Sequence, residues 1–408
     1  MGQFAFAHGR GAGNRRGLAS ATSFQSHALN SVLPVQGSAF VPQHFPFQPL
    51  PIPTGSPPFR FDLSKLLTAS AISQITQSGK LVFHSIGDTG DDRGTQMDFV
   101  ASMITQDYDA SAAGEAPAFC YHLGDVVYFA GDIDDYGECY YETYSEYPGL
   151  IVAIAGNHDC QPDDPQDGPV DPNKKPLDGW CQNFMSTDPT RLGSLKTNSS
   201  RTQMDLPNVY WTFTTPFATI IGLFSNVSET EAQVQEPQVS WFKGELTAAA
   251  ADDKNKALIV AIHHPPYSGD DEHSGSTAAE ALLFEAFRET GVYPHLILSG
   301  HVHNYQRFTV TEQQAKGAIE IPCVVLGNGG YTKLGTLRQY QGGPPPQPLT
   351  LTPTLSLEKY DDANFGFVRF EVTQEAIVGE YYSAPFLGST VPKAVLVDTF
   401  TIALRPVS

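Results

Sequence analysis

Short apolar runs recur along this chain, and each is closed abruptly by glycine or a polar residue. Leu81-Val82-Phe83-His84-Ser85-Ile86 is the first, and residues 118–123, 150–155, 218–224, 257–262 and 296–298 repeat the pattern. Runs this short, rich in branched and aromatic side chains, predict strands buried on both faces. Between several of them the apolar spacing lengthens to that of a helix. Residues 97–105 fit one helix. Glu236-Pro237 opens a second, with Val239, Phe242 and Leu246 along one face, and residues 277–290 make a third, stopped by Gly291. Strand–helix–strand alternation predicts an α/β domain. Across residues 365–404 the alternation is residue by residue, which predicts antiparallel strands.

Two stretches break the frame. Residues 1–77 read as a Gly/Pro-rich amino-terminal extension, partly irregular, ahead of one domain spanning 78–408; the first sixty or so cannot supply a core of their own. Residues 160–202 form a long polar insertion containing Pro162, Pro165, Pro169, Pro172 and Pro176, the length of a lid or of a passive surface excursion. No internal repeat is visible.

Hydrophobic residues make up 41% and charged residues 17%, an ordinary globular composition. The net charge of −20 argues against nucleic acid or an anionic membrane as the main partner. It leaves room for a small phosphorylated substrate, because bound cations can make a local positive well in an acidic protein. No apolar run approaches the roughly 20 residues that span a bilayer, so no integral membrane segment is expected. Arg10, Arg15 and Arg16 lack an apolar run behind them, so no signal peptide is read and the cytoplasm is favoured over export. Without such a signal, the glycosylation patterns at Asn198 and Asn226 read as chance matches. Five cysteines are too few and too odd in number for a disulfide framework. Cys120 and Cys323 belong to apolar runs and read as core, while Cys139, Cys160 and Cys181 fall in polar loops that leave one bridge open.

The chemistry lies where the runs end. Gly87-Asp88-Thr89-Gly90, Gly124-Asp125-Val126-Val127-Tyr128, Gly156-Asn157-His158-Asp159, His263-His264-Pro265-Pro266-Tyr267 and Gly300-His301-Val302-His303 each follow a strand-like segment. Ligands gather at the carboxyl ends of strands in α/β sheets. Two carboxylates (Asp88, Asp125), a phenol (Tyr128), an amide oxygen (Asn157) and three imidazoles (His263, His301, His303) suffice to hold two transition-metal ions, with Asp125 able to bridge them. One Gly-Asp after a strand is usually a turn; five such elements in one chain point to metal.

This ordered set resembles the calcineurin-like metallophosphoesterase superfamily, and is most similar to its purple acid phosphatases. Tyr128 stands three residues after Asp125, where that group carries a tyrosine in place of the first-motif histidine, and Gly90 occupies the position of that missing histidine. Gly300-His301-Val302-His303-Asn304-Tyr305-Gln306-Arg307 is close to the group's fifth motif. The resemblance implies an α/β/β/α sandwich of two mixed sheets with the dimetal site at the strand carboxyl ends. It implies Fe(III) held by Asp88, Asp125, Tyr128 and His303, and a second ion, Fe(II), Zn(II) or Mn(II), held by Asp125, Asn157, His263 and His301. His263 is taken as ligand over His264 because it fills the family's His-x-Pro position. His158 and His273 are implied as catalytic substrate histidines, and Asp159 as a residue orienting a ligand imidazole. The implied reaction is acid hydrolysis of phosphomonoesters by in-line attack of a metal-activated hydroxide. A phosphodiesterase or nucleotide hydrolase on the same scaffold, or a phosphate-binding module without turnover, are the alternatives.

Overall fold

The computed structural model describes residues 29, 31–33, 49–90, 96–112, 115–162, 173–186, 201–202, 204–226, 231–252, 256–315, 317–384 and 393–406. In chain order its elements are β1 (Arg60–Asp62), α1 (Ala69–Ser78), β2 (Leu81–Ile86), α2 (Gln96–Ala110), β3 (Phe119–His122), β4 (Leu150–Ala153), α3 (Asn157–Cys160), α4 (Asp178–Phe184), β5 (Trp211–Thr214), β6 (Ala218–Leu223), α5 (Gln238–Asp252), β7 (Ala257–Ile262), α6 (Thr277–Thr290) and β8 (Leu296–Ser299). Seven strands follow: β9 (Tyr305–Gln314), β10 (Gly317–Leu326), β11 (Leu349–Thr352), β12 (Leu355–Asp361), β13 (Phe365–Val372), β14 (Ala376–Ala384) and β15 (Val395–Ala403).

They form two mixed sheets, ordered β1-β5-β6-β7-β8-β10-β9-β12-β11 and β15-β14-β13-β2-β3-β4. In the first sheet β6, β7, β8 and β10 run parallel, and β9 closes back antiparallel on β10. In the second, β2, β3 and β4 are parallel and β13 to β15 extend the sheet antiparallel. The parallel strands β2, β3, β4, β6, β7 and β8 are the apolar runs of the sequence, and every residue of β2, β3, β6, β7 and β8 is buried.

The sheets meet face to face through aromatic side chains. Phe119 of β3 lies edge-on to Phe213 of β5 at 5.0 Å, and Tyr305 of β9 stacks flat on Tyr381 of β14 at 3.9 Å. Successive residues of β6 divide between two cores: Ile220 joins the cluster between the sheets, and Ile221 joins the one beneath α5 and α6 with Phe242, Leu246, Leu283 and Phe287. On the other side, Val100 and Ile104 of α2 join the cluster between and around the sheets. This is the α/β/β/α sandwich that the sequence implied.

Strand and helix positions agree with the apolar pattern to within a few residues; α2 runs five residues further than 97–105, to Ala110. Apart from the apolar run around Cys323, the region 305–361 was not read as strand. It forms β9 to β12; in β9, β12 and the first half of β10 buried and half-exposed positions interleave, and only Cys323-Val324-Val325-Leu326 makes a continuous apolar run. Pieces of the sequence before residue 78 are anchored on the domain. β1 pairs in parallel with β5, and Leu29 and Leu33 are buried in the helix-side cluster. Of the insertion, the described part includes α4, where Trp180 stacks on Phe184 at 4.3 Å; residues 163–172 and 187–200, where a lid was considered, lie outside the described residues, as does Asn198. Asn226 is fully buried. All five cysteines are free, with Cys120, Cys139, Cys160 and Cys323 buried. Among the described residues no helix is long and apolar enough to cross a membrane.

Candidate metal centre

The five motifs occupy the turns after β2, β3, β4, β7 and β8. Three of their residues other than glycine adopt the left-handed backbone region: Asp88 at φ 57°, Asp125 at 52° and His301 at 68°. That region is uncommon for a residue with a side chain and costs about 1–3 kcal/mol. Backbone hydrogen bonds hold the strained turns together. The Asp88 and Thr89 amides donate to the carbonyls of Gly124 and Asp125 at 3.0 and 3.1 Å. The amides of His301 and His158 donate to the carboxylates of Asp88 and Asp125 at 2.8 and 2.9 Å. Each carboxylate thus fixes a neighbouring motif as well as facing the pocket.

Glycine is required where the turns touch. A Cβ on Gly156 would lie 2.0 Å from Asp125 Oδ1, and one on Gly90 would lie 2.1 Å from the carbonyl oxygen of Val126. A histidine therefore has no room at position 90, and Tyr128 reaches the same pocket from the opposite turn.

All seven sequence-predicted donors converge. The Tyr128 hydroxyl lies 2.9 Å from Asp125 Oδ2, 3.1 Å from Asp88 Oδ1 and 3.1 Å from His303 Nε2. Asn157 Oδ1 lies 3.0 Å from both His263 Nε2 and His301 Nδ1, and His263 Nε2 is 3.2 Å from Asp125 Oδ2. Asp125, His263 and His301 offer ligand atoms all within 4.8 Å of one another. Two donor groups emerge, with Asp125 common to both. One phenolic proton cannot serve three acceptors, and two imidazole nitrogens face one amide oxygen. Such a surplus of lone pairs fits cations, and the mix of carboxylate, phenol, amide and imidazole suits iron, zinc or manganese.

Electrostatics agree. Burial, opposed by His263 and reinforced by Asp125, pushes the Asp88 carboxyl up to about 8. Burial also resists ionisation of Asp125, but His263 and His158 outweigh it and hold that carboxyl below its ordinary range. For His263 burial is overcome by Asp125 and Asp88, and the ring is pushed up to about 9. Burial and neighbouring imidazoles hold His301 and His303 well below the usual histidine range, so both are neutral with lone pairs available to metal. Burial and the two carboxylates push the Tyr128 phenol well above its ordinary value.

The two substrate-histidine candidates stand at the rim, both half-buried. The His158 ring lies 4.4 Å from that of Tyr128, and its Nδ1 is 2.8 Å from the carbonyl oxygen of Phe129. His273 stands 5.2 Å from the His301 ring and 5.4 Å from that of His303. Asp159 does not orient an imidazole. Its carboxylate accepts from the amides of Gly156 and Val126 at 2.8 and 3.0 Å and so ties two motif turns together. The His263 ring is instead oriented by the Leu123 carbonyl, 2.8 Å from Nδ1. His264 turns away to Ser225 Oγ at 2.7 Å and packs on His301 at 4.3 Å.

Tyr331 was missed. It stacks on Tyr128 at 4.2 Å, lies 4.6 Å from His303, and its amide donates to the Asp88 carbonyl at 3.1 Å. Its signal was present in the sequence: β10 ends in Gly327-Asn328-Gly329-Gly330, the same apolar run closed by glycine that marks the other five turns.

The sequence model of the calcineurin-like phosphoesterase family matches residues 83–305, more than half of the chain. Purple acid phosphatase 22 of Arabidopsis thaliana is 28% identical over 156 residues, covering 36% of this chain and 30% of that protein. Purple acid phosphatase 1 of Ipomoea batatas is 26% identical over 149 residues, covering 33% and 28%. The chain thus matches under a third of the length of these relatives. The structure of purple acid phosphatase PPD1 from yellow lupin (Lupinus luteus) aligns over 79% of this chain and 54% of that one, with TM-score 0.51 and 17% identity. GAP50, the anchor in the inner membrane complex of Plasmodium, aligns over 80% and 89%, with TM-score 0.51 and 16% identity. These likenesses concern the fold; they are shared by proteins of different description, so the donor set has to carry the chemistry.

Proposed function

The chain belongs to the calcineurin-like phosphoesterase family, and on that footing we propose that it is a dimetal acid phosphatase acting on phosphomonoesters. The observation that carries this reading is the pair of donor groups sharing Asp125, one centred on the Tyr128 hydroxyl and one on Asn157 Oδ1. Asp88, Asp125, Tyr128 and His303 would hold Fe(III). Asp125, Asn157, His263 and His301 would hold Fe(II), Zn(II) or Mn(II). When bound, such a pair supplies Lewis acidity, polarising phosphoryl oxygens and lowering the pKa of water from about 15.7 toward 7.

The protein's own groups do the rest. The Phe129 carbonyl fixes a proton on His158 Nδ1, so Nε2 is the atom that, in the imidazolium, donates to a phosphate oxygen or gives its proton to the leaving group. His273, across the pocket mouth beside His301 and His303, adds a second contact for phosphate oxygens. Buried Asp88, Asp125 and His263 are held in place by main-chain hydrogen bonds, and Asn157 is buried beside them, which limits reorganisation when substrate arrives.

Turnover of nitrophenyl phosphate against bis-nitrophenyl phosphate by the metal-loaded protein tests the reading. Preference for the monoester is expected; strong preference for the diester would move the chain to the phosphodiesterases of the family, and no turnover of either would contradict hydrolysis.

A further inference from the structure

His273 sits on a short loop that closes on itself, with Gly269 bridged to Ser274 in antiparallel fashion. Beneath that loop lies a polar network in which Ser268, Asp270, Asn304 and Gln306 are all fully buried. One Asp270 oxygen accepts from the amides of Glu272 and His273 at 2.9 and 2.8 Å, and the other accepts from Asn304 Nδ2 at 2.9 Å. Gln306 Nε2 donates to Asn304 Oδ1 at 2.8 Å, while Gln306 Oε1 accepts from the Gly269 amide at 2.7 Å. Ser268 Oγ donates to the His273 carbonyl at 2.7 Å.

Burying a carboxylate is costly unless its oxygens are satisfied, and here each oxygen has a donor. The partners give the expense a purpose. Asn304 follows His303 directly, and Gln306 is two residues further on, so the segment bearing two candidate metal ligands also grips the loop bearing the rim histidine.

We propose that Asp270 is the positioning residue that holds His273 over the metal pocket, coupling that loop through Asn304 and Gln306 to the turn of His301 and His303. The proposal rests on the reading that His273 meets the substrate. Asp270 itself faces the loop backbone, Asn304 and, at 3.8 Å, His273 Nδ1, and acts only through His273.

A double-mutant cycle tests it: wild type, His273→Ala, Asp270→Ala and the double variant, each metal-loaded and assayed with nitrophenyl phosphate. Metal content and thermal unfolding are measured on all four. His273→Ala is expected to lower kcat/KM about 100-fold, and Asp270→Ala between about 10- and 100-fold. The double variant should be no slower than His273→Ala within about a factor of two, with wild-type metal content throughout. Asp270→Asn, which keeps an oxygen for the two loop amides, should recover part of the loss, and it replaces Asp270→Ala in the cycle should that variant not fold. Losses that multiply, an Asp270 variant as active as wild type, or an Asp270 variant depleted of metal would each overturn the positioning role alone. Wild-type activity in His273→Ala would instead remove the substrate role of His273, and this proposal with it.

Discussion

His263 Nε2 lies 3.0 Å from Asn157 Oδ1 while its Nδ1 lies 2.8 Å from the Leu123 carbonyl oxygen. A carbonyl only accepts, so Nδ1 carries the hydrogen and, in the neutral ring, Nε2 turns a lone pair toward an amide oxygen. Two lone pairs at that separation repel unless positive charge lies between them. A proton on the ring supplies it in the metal-free protein, and Asp125 and Asp88 outweigh burial to favour that proton, pushing the ring up to about 9. A shared cation would supply it otherwise.

The pH dependence of stability follows with a definite sign. His263, raised to about 9, and Asp88, raised to about 8, both bind protons more tightly folded than unfolded. Stability from such groups is fully present below their unfolded pKa values and is lost as pH rises through the folded ones. Metal-free protein should therefore lose stability as pH climbs to about 9, and metal-loaded protein should not, because the cation replaces the proton. Thermal unfolding of both forms across that range checks this, and parallel curves would count against the donor arrangement.

Tyr128→Phe removes the hydroxyl that stands between Asp88, Asp125 and His303. A phenolate on ferric iron gives a charge-transfer band, so the iron-loaded wild type is expected to be coloured and the variant to lose that band while keeping its fold by circular dichroism. A colourless, active wild type would exclude tyrosinate–iron and leave hydrolysis standing.

The five ligand turns could be read from the sequence because each couples two local signals, a buried strand and a glycine or polar stop. What the sequence hid depended on long-range contact. Tyr331 becomes part of the pocket only because the turn after β10 folds back on Asp88 and Tyr128. Asp159 follows Asn157-His158 closely enough to suggest service to a ligand ring, yet its oxygens go to main-chain amides, which no side-chain pattern discloses. Strands β9 and β12 and the first half of β10 escaped notice because half-exposed positions interrupt their apolar residues.

Gly90 tests how tightly the turns are fitted. With a Cβ 2.1 Å from the Val126 carbonyl oxygen, Gly90→Ala must push apart the turns that carry Asp88 and Asp125. A loss of about 1–3 kcal/mol is expected by denaturant unfolding, together with weakened metal binding. Unchanged stability and metal affinity would show that the turns adapt freely.

Away from the pocket, Asp398 accepts from the Tyr305 hydroxyl at 2.7 Å and from Arg307 Nε at 2.8 Å, pinning β15 to β9 across the two sheets. Burial resists its ionisation, but Arg307 and Tyr305 outweigh burial and hold the carboxyl below the usual range. Its stability contribution is present above the ordinary carboxylate pKa and is lost as pH falls through the lowered one. Asp398→Ala, which takes the carboxylate from half-buried Arg307, should cost about 1–3 kcal/mol while sparing kcat of the protein that remains folded; an equal loss of turnover would place this pair in the catalytic machinery.

The central claim is that Asp125 is common to two cation sites. Elemental analysis of purified, metal-loaded protein, set beside Asp125→Ala folded to the same extent, addresses it directly. Two ions per wild-type chain and a variant retaining one or none is the result expected. A wild type that holds no ion, or an Asp125→Ala chain that keeps both, would contradict it.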